Sequence, residues 1–221
     1  MVSKIAAAAA SAAAALLAAG PAHAGKGDVL VRLRGIVVAP NEDSGGITPG
    51  LPNERVKVDN SVMPELDFSY MMTDHIGAEL ILATTKHHVD GTGGVTGGIG
   101  RLASTWVLPP TLTLQYHFLP EGKIRPYVGA GVNYTLFYSE KASARFEAAA
   151  GRTEVSLKPS FGYALQAGVD VPVTDRIFVN LDVKYIDIDT TARLYTAGLG
   201  QQNVKVSLDP FVFGIGIGTK F

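Results

Sequence analysis

The stretch Gly214-Ile215-Gly216-Ile217-Gly218-Thr219-Lys220-Phe221 closes the chain. Its aliphatic residues alternate with glycine, which is the two-residue period of a β-strand with one apolar face. A final strand of this kind that stops on an aromatic residue is typical of bacterial outer-membrane barrels. The stretch therefore predicts a membrane barrel, with Phe221 as its assembly signal.

The N-terminus has the features of an exported protein. Lys4 precedes an apolar stretch over residues 5–19, and Pro21-Ala22-His23-Ala24 places alanines where a signal peptidase cleaves. We predict removal of a signal peptide over 1–24 and a barrel domain over 25–221. The alternative is a membrane-spanning helix, but the stretch is rich in alanine, short for a span and followed by small residues.

Composition excludes several classes of protein. Cysteine is absent, so the chain is neither a lipoprotein nor a disulfide scaffold. The formal net charge is -1 and no basic run occurs, so nucleic acid is not an expected partner. After the signal no apolar run reaches the roughly 20 residues of a spanning helix. If the chain crosses a membrane, it must do so as a closed barrel.

Apolar residues recur at every second position in segments long enough to span a bilayer as tilted strands. These segments cover residues 29–39, 57–70, 75–88, 105–118, 128–138, 160–173, 177–185 and 202–221. Three tight turns alternate with longer connections, and the turns are at Thr73-Asp74, Pro120-Glu121-Gly122 and Thr174-Asp175. The longer connections lie near 40–56, 89–103, 140–156 and 194–201. We predict an all-β fold, an eight-stranded antiparallel transmembrane β-barrel with short periplasmic turns and longer extracellular loops.

A soluble sandwich or lipocalin-type barrel is the alternative fold, since its strands alternate in the same way. Such a barrel shows a charged exterior, whereas the less apolar face here is dominated by Gly, Ser, Thr, Asn and Gln. Aromatic residues also gather at segment ends, as interfacial girdles require. They are Tyr70, Tyr116, Phe118, Tyr127, Tyr138 and Phe221.

Two connections have a distinctive composition. Residues 90–100 (DGTGGVTGGIG) resemble a phosphate-binding glycine run, but no helix pattern and no Lys-Ser/Thr pair follows. We interpret the run as a flexible external loop and expect no cofactor. Residues 141–151 (KASARFEAAAG) favour helix and stop at glycine, which predicts a short helical turn at the barrel mouth.

Six motifs follow in order through the mature chain: VRLRG at 31–35, DHIGAEL at 74–80, LPPTL at 108–112, RPYVGAGVNY at 125–134, YIDIDTTA at 185–192 and LDPFVF at 208–213. In these motifs the chain resembles the outer membrane protein W (OmpW) family of small barrels. The resemblance implies location in the outer membrane of a Gram-negative bacterium. It also implies a narrow lumen that is apolar toward its outer end and passes small hydrophobic molecules. Some members serve as receptors for bacteriocins or phage.

The partners expected on this basis are outer-membrane lipid and lipopolysaccharide, small hydrophobic solutes and the barrel assembly machinery. The oligomeric state stays open, because a closed barrel has no free edge that demands association.

The family pattern also implies a constriction, formed by an apolar residue of the third strand and an aromatic residue before the YIDIDTT motif. The matching positions here are Ile81 and Lys184, so the second departs from the pattern. Lys184 shares the parity of Asn180 and Asp182, which directs its amine into the lumen. We expect Lys184 to pair with Glu79 or Asp182, because buried charges are normally paired. A role in solute choice is the alternative.

Eight strands enclose a bore that side chains nearly fill, which excludes a wide aqueous pore. The hypothesis is that a hydrophobic solute enters the external mouth, passes Ile36, Ile81 and Phe137, and leaves sideways into the bilayer. A charge network is expected to close the lower lumen, formed by Glu65, Asp67, Glu79, Arg125 and Asp182. Prolines that lack a ladder donor mark candidate lateral openings. They are Pro64, Pro109, Pro110, Pro126 and Pro210, and the alternative is that they sit at ordinary strand ends.

Two other functions compete with passage. A lipid hydrolase could use His87 or His88 with Ser104, but adjacent strand residues point to opposite faces and no motif fixes their geometry. We therefore expect no catalytic residue and no metal site, and interpret the two histidines as a solvated strand end. A structural or receptor barrel would act through its loops, as a bacteriocin or phage receptor or in membrane integrity, and predicts a lumen sealed by polar pairs over its full height.

Overall fold

A computed structural model describes residues 25–221, and the predicted signal peptide over 1–24 lies outside the described residues. The elements follow in this order: β1 (Val29–Ala39), β2 (Asp43–Ser44), β3 (Val56–Val58), β4 (Ser61–Met71), β5 (Ile76–Ala83), β6 (Thr85–Gly91), α1 (Gly94–Ile99), β7 (Arg101–Leu108), β8 (Thr111–His117), β9 (Arg125–Ala142), α2 (Ala144–Ala150), β10 (Thr153–Leu157), β11 (Ser160–Pro172), β12 (Ile177–Ile186), β13 (Asp189–Thr196), β14 (Gly200–Ser207) and β15 (Phe211–Lys220). Neither of these two helices is long and apolar enough to cross a membrane.

Eight of these strands form a closed antiparallel barrel. Their hydrogen-bonded order is β1, β4, β5, β8, β9, β11, β12 and β15. β15 then pairs with β1 from Lys220 opposite Leu30 to Phe211 opposite Ala39, which closes the ring. The predicted eight-stranded barrel is confirmed, and the alternating segment at the C-terminus is its closing strand.

The barrel is apolar on its outer surface, and its lower lumen is filled by polar and charged side chains. Phe161 is 71% exposed and Ile215 is 61% exposed, whereas Arg32, Asp67 and Asn180 are fully buried in the lumen. A soluble barrel has the opposite arrangement, with its apolar face inward. The exposed apolar belt is the surface that a barrel presents to lipid.

At the outer end the wall continues as strands rather than as loops. β6 and β7 form a hairpin that extends β5 and β8 toward the outer end. The 18 residues of β9 pair first with β8 and then with β7. β10, β13, β14 and β2 form a second sheet beside them. The longer connections predicted near 89–103, 140–156 and 194–201 are found there, but each begins and ends as strand. Each segment rises next to another extended chain, so its main-chain groups find partners in a ladder.

Two short helices lie over this outer end. α2 confirms the predicted helical turn, because Ser143 Oγ accepts the Phe146 N–H at 3.0 Å and Gly151 follows the last turn. α1 corrects the prediction of a flexible loop at 90–100. Its first amides donate to the Glu54 carboxylate, from Val95 at 3.1 Å and from Thr96 at 2.9 Å. A distant side chain thus stabilises a helix whose own residues have little helix propensity.

The aromatic girdle needs one correction. Tyr70, Tyr116 and Phe118 are exposed as predicted, but Tyr127 is buried in the lumen. Its hydroxyl donates to Asp182 Oδ2 at 2.8 Å. Gly168 on the neighbouring strand leaves the space for this ring, since a Cβ there would lie 2.3 Å from the tyrosine oxygen.

Candidate functional site

The outer half of the lumen is an apolar chamber of about 440 Å³. The three predicted lumen residues Ile36, Ile81 and Phe137 lie along its wall. Other apolar side chains complete it, among them Val38, Leu102, Val107, Ile188, Val206 and Val212. The inward-facing positions of the outer strands therefore enclose a space suited to a hydrophobic molecule.

Helices α1 and α2 cover part of the chamber mouth. Val95 and Ile99 of α1 and Phe146 of α2 line the chamber from above. Phe146 packs against the hydrophobic cluster that includes Leu102 and Val204. The two helices act as an apolar cap on the outer end.

Below the chamber, Arg34 is the centre of a charged floor. Its Nη1 atom lies 2.9 Å from Glu65 Oε1 and 3.0 Å from Asp67 Oδ2, and its Nη2 atom lies 3.4 Å from Glu79 Oε1. Asp182 Oδ1 is 3.7 Å from Nη1. Four of the five carboxylates and cations expected in the network thus meet around one guanidinium that the sequence analysis did not select.

A second layer of the floor surrounds Arg32. The Arg32 guanidinium lies 2.9 Å from Asp170 Oδ2 and 3.1 Å from Glu79 Oε1. Arg125, the fifth residue expected in the network, places its guanidinium carbon 5.2 Å from the centre of the Phe178 ring, and Arg32 contacts the same ring at 5.4 Å. Arg125 therefore belongs to the lower layer, beside Arg32 rather than Arg34.

Lys184 lies in the floor and not in the chamber wall. Its Nζ atom is 2.6 Å from Glu65 Oε1 and 2.8 Å from Asp182 Oδ1. The expected partner Asp182 is found, whereas Glu79 is held by Arg32 and by the Gln115 amide at 2.7 Å. The ammonium is thus neutralised below the apolar space, which leaves that space free of its charge.

Three of the five selected prolines lie around one break in the wall. Pairing of β5 with β8 ends at Ile81 opposite Thr111, and pairing of β6 with β7 resumes at Thr85 opposite Val107. The break contains Pro109 and Pro110. β4 lies on the other side of β5. There, Pro64 stands one position beyond the last β4–β5 pair, Glu65 opposite Ala83.

The other two prolines lie elsewhere in bonded wall. Pro126 pairs with Val169, and its carbonyl accepts the Phe118 N–H at 3.0 Å. The Pro210 carbonyl accepts the Ile186 N–H at 3.2 Å. Pro126 and Pro210 therefore fit the alternative of ordinary strand ends.

The two adjacent histidines differ from the predicted solvated strand end, because His87 is buried and lines the chamber. Its Nδ1 atom lies 2.8 Å from the main-chain oxygen of Asp59, and His88 Nδ1 lies 2.8 Å from Asp59 Oδ2. Although partial burial opposes it, hydrogen bonds from His88 lower the pKa of Asp59. Burial lowers the pKa of His87, so its ring is neutral at neutral pH. The rings bond Asp59 and Thr85 rather than Ser104.

Sequence reasoning missed Arg32 and Arg34 as site residues, although a signal was present. Both stand on the parity of Leu30 and Ile36 in a strand whose other face, at Leu33, is exposed to lipid. A charge on the inner parity of a spanning strand must point into the lumen. Its partners belong to strands across the bore, which no local pattern identifies.

Comparison with known proteins agrees with the barrel fold. The model of the OmpW family matches residues 25–221. Outer membrane protein W of Escherichia coli (strain K12) is 41% identical over 196 residues, which cover 88% of this chain and 89% of the relative. The dibenzothiophene metabolism operon protein PahQ of Pseudomonas aeruginosa is 34% identical over 170 residues, covering 74% of this chain and 72% of the relative.

The crystal structure of the outer membrane protein OprG from Pseudomonas aeruginosa is also similar, with a TM-score of 0.83, 33% identity and coverage of 89% of this chain and 97% of that chain. The Escherichia coli relative and OprG are outer membrane proteins, and this chain is a barrel of the Gram-negative outer membrane. Since the family model spans the full described barrel and relatives above 30% identity cover most of the chain, the protein belongs to the OmpW family.

Proposed function

We propose that this barrel passes small hydrophobic molecules from the cell exterior into the outer membrane through its apolar outer chamber. The observation that carries the proposal is the apolar cavity of about 440 Å³ that ends on a charged floor. Moving apolar surface from water into such a cavity is favourable by about 25 cal/mol per Å². The name of the relative PahQ links that protein to the metabolism of dibenzothiophene, an apolar aromatic compound, which supports this solute class.

The floor determines the direction of exit. Arg34, Glu65 and Lys184 are buried and paired with one another across the lumen. An apolar molecule that crossed this layer would have to separate buried ion pairs, and leaving one such charge unpaired costs about 3–5 kcal/mol. Axial passage toward the periplasm is therefore disfavoured, and a lateral route is the alternative.

The break at Pro109 is the proposed lateral exit. Main-chain groups of neighbouring strand residues point in opposite directions. The Tyr134 N–H donates to the Pro110 carbonyl at 3.1 Å, so position 110 faces β9. The register of the pairs on either side of the break places Pro109 opposite Ala83, while the Pro109 carbonyl accepts from Thr111 Oγ1 at 2.9 Å and Asn133 Nδ2 at 3.2 Å. Because proline has no N–H, the rung between Pro109 and Ala83 lacks its donor. The Thr84 hydroxyl, which donates to the Val107 carbonyl at 3.3 Å, marks the upper edge of the break.

The proposed partners follow from the surface of the barrel. Lipid, and lipopolysaccharide in the outer leaflet, would contact the exposed apolar belt that includes Phe161, Leu165 and Ile217. The assembly machinery would recognise the final strand, β15, which is followed by the exposed Phe221.

A structural or receptor role without transport is favoured less. It predicted polar pairs over the full height of the lumen, whereas ion pairs concentrate in the floor and the chamber above is lined mainly by apolar residues. A catalytic role is not part of the proposal, because His87 and His88 bond Asp59 and Thr85 and not Ser104.

Uptake of a fluorescent hydrophobic probe by cells tests the proposal. The cells lack their own copy of the barrel and express the wild type, Ile81→Lys or Ile81→Leu at equal folded amounts, judged by heat-modified gel mobility. The lysine places a charge in the chamber wall, so uptake should fall to the level of cells without the barrel. The leucine keeps an apolar side chain of equal size and should keep uptake. Unchanged uptake in Ile81→Lys would refute passage through the chamber.

A further inference from the structure

Within the apolar chamber, three polar side chains stand together on one wall. Thr85 and His87 are on β6, and Thr105 is directly opposite His87 on β7. All three line the chamber and face inward. Polar groups in an apolar cavity are unfavourable unless hydrogen-bonded, so the partners of this wall patch, Thr85-His87-Thr105, determine what it can bind.

The main-chain oxygen of Asp59 fixes the tautomer of His87. A carbonyl oxygen only accepts, so the 2.8 Å contact requires that His87 Nδ1 carries the proton. In the neutral ring Nε2 is then an acceptor, and the Thr85 hydroxyl, 3.0 Å away, donates to it. The lowered pKa of His87 keeps the ring neutral and is consistent with this tautomer.

The donor of Thr105 is also used within the protein. Its hydroxyl donates to the Trp106 carbonyl at 3.1 Å. No hydrogen bond from within residues 25–221 is donated to the Thr85 or Thr105 oxygen. The remaining capacity of both hydroxyls toward the chamber is therefore to accept.

The other chamber threonines follow the same rule. Thr96 donates to Glu54, Thr111 to the Pro109 carbonyl and Thr190 to the Lys158 carbonyl. Thr196 also lines the chamber, and its hydroxyl contacts that of Thr153. Because Thr153 donates to the Gly151 carbonyl, Thr196 is the donor in this contact. The hydroxyl groups of the threonines that line the chamber thus donate their hydrogen bonds to protein acceptors. They are not available as donors to a ligand.

We propose that the wall patch is an acceptor site for the hydroxyl group of an otherwise apolar solute, so that the chamber selects alcohols and phenols over their ethers. The inference rests on the proposed function, since it names the solutes that the same chamber takes. A solute hydroxyl would donate to the Thr85 oxygen while Thr85 donates to His87, and such chains of hydrogen bonds strengthen one another. An ether of the same shape offers only acceptors and leaves the patch unpaired.

Binding of 1-naphthol and of 1-methoxynaphthalene to the protein in lipid nanodiscs tests this inference, with binding to empty nanodiscs subtracted. One hydrogen bond is worth about a fivefold difference in Kd, and the wild type should prefer the naphthol by about that factor. The variant Thr85→Val/His87→Leu/Thr105→Val should bind both compounds with a Kd ratio near one. The control Thr219→Val changes a threonine on the outer face of β15, outside the chamber, and should keep the fivefold preference.

A second measurement needs no substitution. The ¹⁵N chemical shifts of the His87 ring should report a protonated Nδ1 and an unprotonated Nε2. A protonated Nε2 would overturn the inference, because Thr85 would then be free to donate into the chamber.

The results separate the inference from the function on which it rests. Equal Kd values for the two compounds in the wild type would refute the acceptor site alone, because the chamber would still bind apolar molecules. If neither compound binds above empty nanodiscs, the chamber is not a solute site, and the proposed function fails together with the inference.

Discussion

The ammonium of Lys184 lies 2.6 Å from the Glu65 carboxylate across the lumen, although the two residues are 119 positions apart in the chain. The side chains are 1% and 3% exposed. Arg34 approaches the same Glu65 oxygen at 2.9 Å, so one carboxylate joins two cations from different strands. These ion pairs connect β1, β4 and β12 across the lumen, and they also close the lumen below the chamber.

Loss of one partner from this pair should destabilise the barrel strongly. Lys184→Met leaves Glu65 with Arg34 alone, and we expect a loss of about 3 kcal/mol, the lower end for a broken buried pair. Glu65→Gln should cost a similar amount. The double variant should lose clearly less than the sum, because the removed groups are partners. Unfolding in urea, followed by gel mobility, measures all three.

Lys86 offers a matched control, because it is an exposed lysine on β6. Lys86→Met should change stability by less than about 0.5 kcal/mol. Additive effects of Lys184→Met and Glu65→Gln would show that the two side chains do not stabilise each other in the membrane.

Arg34→Lys should make the floor permeable to small ions. The guanidinium contacts Glu65, Asp67 and Glu79 at once, and an ammonium cannot reproduce this planar set of donors. Carboxylates left without partners should admit water and cations, so single-barrel conductance in a planar bilayer should rise above that of the wild type. Arg101→Lys changes an exposed arginine and should leave conductance unaltered. An unchanged conductance in Arg34→Lys would contradict its role as the centre of the floor.

The cap over the chamber should loosen in acid. Hydrogen bonds from the Thr96 hydroxyl and main chain, and then from Val95, hold the pKa of Glu54 below its usual range. A carboxylate with a lowered folded-state pKa contributes stability above its unfolded pKa of about 4.3 and loses it as pH falls through the folded value. Amides of α1 should therefore exchange hydrogen slowly near pH 7 and show progressive loss of protection below about pH 4.

Glu54→Gln tests the cause. The amide has one acceptor oxygen and no charge, so α1 should exchange faster at pH 7 and lose the acid-dependent step. Glu121→Gln, in an exposed turn at the other end of the barrel, should leave α1 exchange unchanged. Equal protection of α1 in the wild type and Glu54→Gln would mean that other contacts hold the cap.

Pro109→Val should slow lateral exit. It supplies an N–H toward Ala83 and restores the missing rung of the ladder, so the break should narrow. Entry of a hydrophobic probe into cells should fall by several-fold. Pro110→Val adds an N–H on the β9 side instead, where Tyr134 already bonds the Pro110 carbonyl, and should keep entry. Similar entry in both variants would exclude this break as the exit.

The fold was predictable from sequence because parity alone assigns each face. Phe161 and Ser160 of β11 fall on opposite faces, and a membrane requires that such strands close into a ring. The partners across the ring were not predictable. Lys184 and Glu65 lie at the same height in the lumen because of the stagger between neighbouring strands. This stagger depends on the register of every strand pair around the barrel.

Local signals were also insufficient at the outer end. α1 has glycine at three of its six positions, a composition that disfavours helix. Its amides are held by Glu54, 42 positions from Thr96 in the chain. His87 was predicted to be solvated because the continuation of β5 into the hairpin of β6 and β7 cannot be read from the strand's own residues. Distant pairing, rather than propensity, decides both features.

Simultaneous measurement of hydrophobic-solute entry and ion conductance through the reconstituted barrel tests the apolar chamber above a sealed floor most directly. Proteoliposomes for solute entry and a planar bilayer for conductance use one protein preparation, with lipid alone and a barrel of sealed lumen as references. We expect solute entry well above both references, with conductance no higher than that of the sealed barrel. Solute entry no faster than in lipid alone, or entry accompanied by a matching ion current, would contradict the lateral route through the chamber.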